Sequence, residues 1–402
     1  MSSEEFENTL KLTKISLLIS GIQLCHTKCN HILERIVYQY LYYINVVILY
    51  TVIFGEVYWV INGIQTAKSF VELSLTSPCI TISILGTIKS VFLYYNNDSL
   101  VNIVHELKDL YPDAIDEDGE ILAKSKIVKD SIKFLKVVIF LLLTICVVVM
   151  IMFCFAPIFA MGYDHYAIGV TTIKYPYLVK YFFDAYSSSW WLLIYLHQVW
   201  ATGIVIVNIL GSDTLFYVLC SYIGMHFRLL GVYFENVVSE SLDETKVKLK
   251  IAVKRHQALI DLVDRTEKLY SKSMLFNIVS SSLLICLSAF NITVVQEFRT
   301  MLAFITFLTM SLSQISLVCL FGDMLMRSSM ELSQSIYKCG WYDVDNIPCN
   351  IFIHLLQCVA IVRAQKACRL TAARFADLNL TAFTTILSRS WSYFALLKTV
   401  YK

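Results

Sequence analysis

Seven apolar runs limit what this chain can become. They lie near Ile36–Phe54, Val71–Tyr95, Phe134–Phe159, Ser188–Leu210, Met274–Val295, Met301–Met326 and Leu378–Val400. A hydrocarbon core of about 30 Å takes about 20 helical residues to cross, and each run is of that order. Within lipid every backbone N–H and C=O must find a partner, which makes helices the expected form of such runs. Only 13 Gly and 5 Pro occur in 402 residues, so long unbroken helices fit better than a transporter built from interrupted ones. With 57% hydrophobic and 16% charged residues the composition is not that of a soluble domain. The expected fold is all-α, a polytopic membrane protein with seven transmembrane helices and a lipid bilayer around it.

Basic residues set the expected orientation. Assigned alternately to two sides, residues 1–35, 96–136, 227–273 and 327–377 carry 25 Lys and Arg, against 6 in 55–70, 160–188, 296–300 and 398–402. That bias predicts a cytoplasmic N-terminus and, after seven spans, an extracellular C-terminus. G-protein-coupled receptors run the other way, and neither Asp-Arg-Tyr after the third span nor Asn-Pro-x-x-Tyr in the seventh is present. The organisation that follows is a cytoplasmic segment 1–35, spans one to four in 36–226 and a cytoplasmic helical extension 227–273. Spans five and six follow in 274–326, then a cytoplasmic anchor segment 327–377 and the last helix 378–402. Met1–Glu7 is acidic, so no cleavable signal peptide is expected. Lys11 and Lys14 beside Leu12, Ile15, Leu18 and Ile19 suit a helix on the inner leaflet or one packed on the bundle.

Two cytoplasmic segments carry helical stripes. Ala252, His256, Leu259, Val263, Thr266 and Tyr270 recur at steps of four and three, as do Phe352, Leu355, Leu356, Val359 and Val362. Each stripe needs a partner, either within the chain or between subunits. The twelve cysteines fall in spans or on the cytoplasmic side, where disulfides are not expected. Cys25, His26, Cys29 and His31 match no common zinc spacing, so no metal or cofactor is expected. The sequon at Asn97-Asp98-Ser99 is expected to stay cytoplasmic and unmodified. No nucleophile–base pair or phosphate loop points to an enzyme, and nothing points to nucleic acid. Lys89, Asp213, Asp323 and Arg389 lie in or beside apolar runs, where charges are costly. Ion pairs or helix-end hydrogen bonds are expected of Asp213 and Asp323, and a subunit-coupling role of Arg389.

Four groups of residues, in order and spacing, resemble the insect odorant receptors over most of the chain. Arg255-His256-Gln257 with Leu259-Ile260-Asp261-Leu262-Val263 and Lys268-Leu269-Tyr270-Ser271 is similar to that family's segment before the fifth span. Phe321-Gly322-Asp323, then Tyr337 and Trp341, resembles the stretch after the sixth. Arg363-Ala364-Gln365-Lys366 with Leu370-Thr371-Ala372 resembles the entry to the seventh, and Ser390-Trp391-Ser392-Tyr393-Phe394-Ala395-Leu396-Leu397 the terminal signature. The gustatory receptors' Thr-Tyr-x5-Gln-Phe ending is absent. Ala367 and Ala373 stand where relatives often carry Pro and Gly, so a more helical turn into the last span is expected.

The resemblance implies an odorant-gated cation channel, a heterotetramer of this ligand-tuned chain with an odorant receptor co-receptor. It further implies a plasma-membrane setting in an olfactory neuron dendrite and a pore lined by the last helix. Leu396 and Val400 then fall at the gate with Thr399 beside them, and two apolar rings four residues apart can close a pore by dewetting. A volatile small-molecule odorant implies an apolar site with a few polar anchors in the outer half of the bundle. The second span offers Thr76, Cys79, Ile80 and Ser83, the third Met150, Phe153, Cys154 and Pro157, and the fourth Trp190, Ile194, His197 and Ala201.

Overall fold

A computed structural model describes residues 3–24, 32–110, 118–169, 173–185, 190–239, 241–339 and 351–401. The described chain is helical apart from one two-residue-strand hairpin. A short N-terminal helix α1 (Ser3–Ile19) precedes α2 (Ile32–Gln65), α3 (Phe70–Ser74), α4 (Ser77–Tyr95) and α5 (Asn97–Asp109). Then α6 (Asp118–Met150) passes through a π-helical turn (Ile151–Phe155) into α7 (Ala156–Ile168). The long helices α8 (Trp191–Glu235), α9 (Leu242–Val294) and α10 (Phe298–Lys338) follow, then α11 (Ile351–Gln365), the strands β1 (Thr371–Ala372) and β2 (Ala376–Asp377), and α12 (Leu380–Val400). Among the described residues six helices are long and apolar enough to cross a bilayer. The seventh apolar run forms α12, whose 21 residues reach about 32 Å, but its Ser, Thr, Arg389 and Lys398 make it less apolar than those six. The first run was expected to stop at Phe54; its helix continues to Gln65 and brings Glu56 inside the bundle.

Helix α8 is the axis of the molecule. It packs against α10, α6, α1 and α4, and from Leu210 to Phe227 every residue is buried. The 53 residues of α9 run about 80 Å, far beyond a hydrocarbon core, so much of it stands outside the membrane. Its predicted stripe is buried throughout, with His256 6.2 Å from Phe227 and Tyr270 5.2 Å from Phe216 between ring centres. That stripe therefore finds its partner inside the chain, on α8. The stripe on α11 does so only in part: Leu356 packs against the core, whereas Leu355, Val359 and Val362 are exposed, and the side chain of Phe352 lies outside the described residues.

Helix α1 lies on the bundle rather than flat against a leaflet. Phe6, Leu10 and Leu17 are buried, Phe6 meets Tyr222 edge-on at 4.9 Å, and Thr13 donates to Thr214 at 2.9 Å. Its Glu7 carboxyl is raised by partial burial but lowered more by hydrogen bonds from Lys14 and Lys108, and ends below the usual carboxylate range.

Three of the charges expected in or beside apolar runs are paired. Lys89 of α4 donates to Asp213 of α8, both with fully buried side chains, and Gln314 Nε2 of α10 donates to the other Asp213 oxygen at 2.6 Å. Asp323 pairs with Arg327 at 2.6 Å, one turn along α10. Arg389 is exposed. No described cysteine is in a disulfide, while Cys25, Cys29 and Cys349 lie outside the described residues.

The turn into α12 corrects the expectation of a more helical entry. Residues 371–377 form an antiparallel hairpin with Thr371 opposite Asp377, docked on α9 through Thr371 Oγ1 to Glu267 Oε1 at 2.6 Å and Ala373 N to Ser271 O at 3.0 Å. Those bonds hold Ala373 at φ 50° and Arg374 at φ 60°, a left-handed backbone that costs an L-residue about 1–2 kcal/mol. Alanine thus stands at a left-handed position of the kind that favours glycine. We expect Ala373→Gly to raise the thermal midpoint of the detergent-solubilised protein, by about 0.5–1 kcal/mol after glycine's added chain entropy. A lowered midpoint would contradict this.

Candidate ligand-binding site

Two adjoining spaces lie among the helices, sharing Cys79, Phe153, Tyr177 and Phe307 on their walls. The inner cavity is small, about 40 Å³, and is bounded by Glu56 of α2, Ile82 and Ser83 of α4, and Val149 of α6. Ala201, Thr202, Val205 and Ile206 of α8 complete it. The outer one is a broad, open cleft of about 910 Å³ that reaches Thr76, Met152, Pro157, Tyr163 and, at the start of α10, Phe298, Arg299 and Phe304.

Local sequence explains why these spaces exist. Pro157 sits at the start of α7, where its ring and missing N–H cannot continue an ordinary helix. The chain answers with the wide turn Ile151–Phe155, a departure often found at functional sites. Tyr195 of α8 donates to the Cys154 carbonyl in that turn at 2.5 Å, so part of its backbone is satisfied from a neighbouring helix. Phe153 is thereby turned against Phe307, 4.7 Å between ring centres. Across the cavity Ala201 is 1% exposed, and its lack of a larger side chain leaves room there.

Residues 173–185 close the inner cavity on one side. Tyr177 donates its hydroxyl to the Gln198 carbonyl at 3.1 Å and its N–H to Gln198 Oε1 at 3.4 Å. Lys180 donates its N–H to Gly55 O at 3.1 Å and its ammonium to Asn62 Oδ1 at 2.5 Å. Gly55 has no room for a side chain, since a Cβ would sit 2.4 Å from Val179. The segment is therefore fastened to both α2 and α8 above the cavity.

Of the twelve residues expected at the site, Thr76, Cys79, Ser83, Phe153, Pro157 and Ala201 line one or both spaces. The other six are placed elsewhere. His197 contacts Thr51 Oγ1 at 3.0 Å and Tyr181 OH at 3.3 Å, Trp190 is exposed against Phe183, and Ile80 is half-buried. Met150 and Cys154 touch each other at 3.7 Å between sulfurs, and Ile194 is buried away from both spaces. Glu56, Tyr177 of the closing segment, and the α10 aromatics Phe304 and Phe307 had no place in the sequence reading. The aromatics carried a usable signal, three residues apart near the start of the sixth run. Among the described residues no group of three or more His, Cys, Asp or Glu side chains is gathered for a metal, and the Cys25–His31 cluster lies outside them.

Comparison with known proteins supplies the family. Residues 69–390 match the 7tm odorant receptor family. The chain belongs to that family. It is 25% identical over 373 residues to odorant receptor 67c of Drosophila melanogaster, covering 91% of this chain and 88% of that one. Likeness to the odorant receptor coreceptor of Aedes aegypti is narrower, 28% over 152 residues, or 37% of this chain and 30% of that one. The fold matches the olfactory receptor OR5 of Machilis hrabei, solved in complex with eugenol, with a TM-score of 0.82, 18% identity and 99% coverage of both chains. This odorant receptor is a multi-pass membrane protein and not an enzyme.

Proposed function

We propose that this odorant receptor is the ligand-tuned subunit of an odorant-gated, non-selective cation channel in the plasma membrane of olfactory neuron dendrites. It assembles with an odorant receptor co-receptor as a heterotetramer. The observation that carries the reading is the apolar inner cavity, closed by the 173–185 segment and continuous with an open cleft. A small apolar molecule can lose its hydration there and meet a few polar anchors. The relative from Machilis hrabei binds eugenol, a molecule of that kind.

Helix α12 provides the second half of the reading. It packs on α9 and α10 through Ile386, Ser390 and Phe394, while Leu396, Thr399 and Val400 are exposed on its other side. Those three residues line and gate the pore, with Lys398 about 100° around the helix from Thr399. Seven crossings with a cytoplasmic N-terminus and extracellular C-terminus put this end of α12 at the outer mouth, and the lysine and arginine bias supports that sense. The exposed Leu355, Val359 and Val362 of α11 become subunit contacts on the cytoplasmic side, and exposed Arg389 a coupling residue between subunits.

The test is current from cells co-expressing this chain with a co-receptor and challenged with an odorant panel. An evoked cation current that persists when G-protein signalling is blocked is the expected result, and a response abolished by that block would sink the channel reading. In the same cells Val400→Cys should make the current sensitive to a thiol reagent applied outside. Insensitivity, with surface labelling intact, would remove Val400 from the pore.

A further inference from the structure

Glu56 is the anomaly of the ligand cavity. It is 0% exposed, and neither carboxyl oxygen has a hydrogen-bond partner among the described residues. The buried acids Asp213 and Asp323, by contrast, are held by Lys89 and Gln314 and by Arg327. Glu56 instead sits on the wall of the inner cavity, among Cys79, Phe153, Tyr177 and Ala201. Lys180 is fastened one residue away at Gly55, yet its ammonium goes to Asn62 and lies over the Tyr58 ring rather than serving the carboxyl. An acid kept in apolar surroundings without a partner is a standing cost, of the kind found where a ligand completes the hydrogen bonding.

We infer that Glu56 is the polar anchor of the odorant cavity, and that the chain is tuned to small, mostly apolar molecules carrying one O–H or N–H donor. The donor points at the Glu56 carboxyl, and the hydrocarbon part lies against Phe153, Phe307 and Val205. This rests on the reading of the cavity as the odorant site. Its chemical content is separate: a purely apolar pocket ranks ligands by size and shape, and such ranking is weak. A pocket with a buried acceptor rejects an analogue whose donor has been removed, because the acceptor is then left unpaired in a dry site.

The experiment uses matched probes on cells co-expressing the full chain and a co-receptor. The pairs are 2-phenylethanol with its methyl ether, and 2-phenylethylamine with propylbenzene. The alcohol and the amine should activate at concentrations roughly tenfold or more below their donor-free partners. Glu56→Leu should bring each pair within about twofold, with the donor-free members still active. Glu56→Gln keeps the shape and an acceptor but cannot form an ion pair with an ammonium group, so it should retain the alcohol preference and lose most of the amine's. That isosteric variant carries the test if Glu56→Leu fails to reach the surface.

Equal potency within the wild-type pairs, or an unchanged preference in Glu56→Leu, would overturn the inference and leave Glu56 bonded to water alone. Ala201→Phe, with surface labelling to confirm that it is delivered, separates this from failure of the cavity reading, because the added ring fills the same space and leaves the acid in the chain. Should Ala201→Phe abolish responses while Glu56→Leu leaves the preference intact, the cavity is the site and Glu56 is idle. Should Ala201→Phe change nothing for any probe, the cavity reading itself fails.

Discussion

Replacing Asp213 by asparagine should leave most of the receptor unable to reach the cell surface. The substitution leaves Lys89, itself 1% exposed, as an uncompensated cation at the meeting of α4, α8 and α10. Breaking a buried pair from one side costs about 3–5 kcal/mol, against a total stability on the order of 5–15 kcal/mol for a folded domain. Lys89→Met should be milder, because Asp213 keeps its bond from Gln314 at 2.6 Å. The informative variant is the double one. With Lys89→Met and Asp213→Asn together no charge is left behind, and the asparagine oxygen still accepts from Gln314. Surface fraction and detergent thermal midpoint should recover well above the Asp213→Asn value. A double variant no better than the single would show that the cost lay in shape or in another partner. Recovery of the fold with loss of odorant response would give the pair a role in opening as well.

The same triad shows what a sequence of this kind discloses and what it withholds. Charges in apolar runs announce that partners must exist, so ion pairing of Asp213 was legible, yet nothing in the spacing says that Lys89 and Gln314 arrive from two other helices. Periodicity disclosed which face of α9 is buried, since one stripe of six residues has one explanation. For α11 it disclosed a stripe but not a partner, and within one chain there is none for Leu355, Val359 and Val362. Only half of the residues expected at the candidate site line the two spaces, for a related reason. Helical spacing put the candidates of each span on one face but did not say how far along the helix the cavity extends. His197 and Ile194 lie four and seven residues from Ala201, on the same face of α8 but about 6 and 10 Å further along it, beyond the walls of the two spaces. Glu56 was hidden by a boundary: with the first run ended at Phe54, the acid two residues later counted as loop. Tyr177 was hidden because a connecting segment has no periodicity from which to read a fold back over the bundle.

The largest steric effect should come from the smallest residue of the Phe321-Gly322-Asp323 stretch. A Cβ at Gly322 would stand 2.3 Å from the carbonyl oxygen of Leu378 and 2.8 Å from its Cβ. Real contacts never come so close, and the nearest obstacle is backbone rather than a side chain that can swing away. Leu378 is 2% exposed and its N–H is bonded to Leu370 O at 2.8 Å, closing the base of the hairpin. One residue further on, Asn379 caps α12 by accepting from Ala382 N at 2.8 Å. Gly322→Ala must therefore either spread α10 from the hairpin or shift the start of α12, at a cost of about 1–3 kcal/mol for overpacking, occasionally more. Glycine is otherwise a liability in a helix interior, so the local helix preference of alanine works in the opposite direction by about 1 kcal/mol. If local preference dominated, Gly322→Ala would be neutral or stabilising, and the thermal midpoint decides between the two. We expect a lower midpoint. Because the displaced element leads directly into the helix bearing Leu396 and Val400, we further expect altered basal or evoked current in whatever fraction reaches the surface. Ser328→Ala, lower on α10, supplies the control: it removes a hydroxyl that accepts from Arg228 at 3.2 Å but moves no backbone near α12. A change in gating shared equally by both variants would point to general loosening of α10, whereas one confined to Gly322→Ala would tie it to the α10–Leu378 contact.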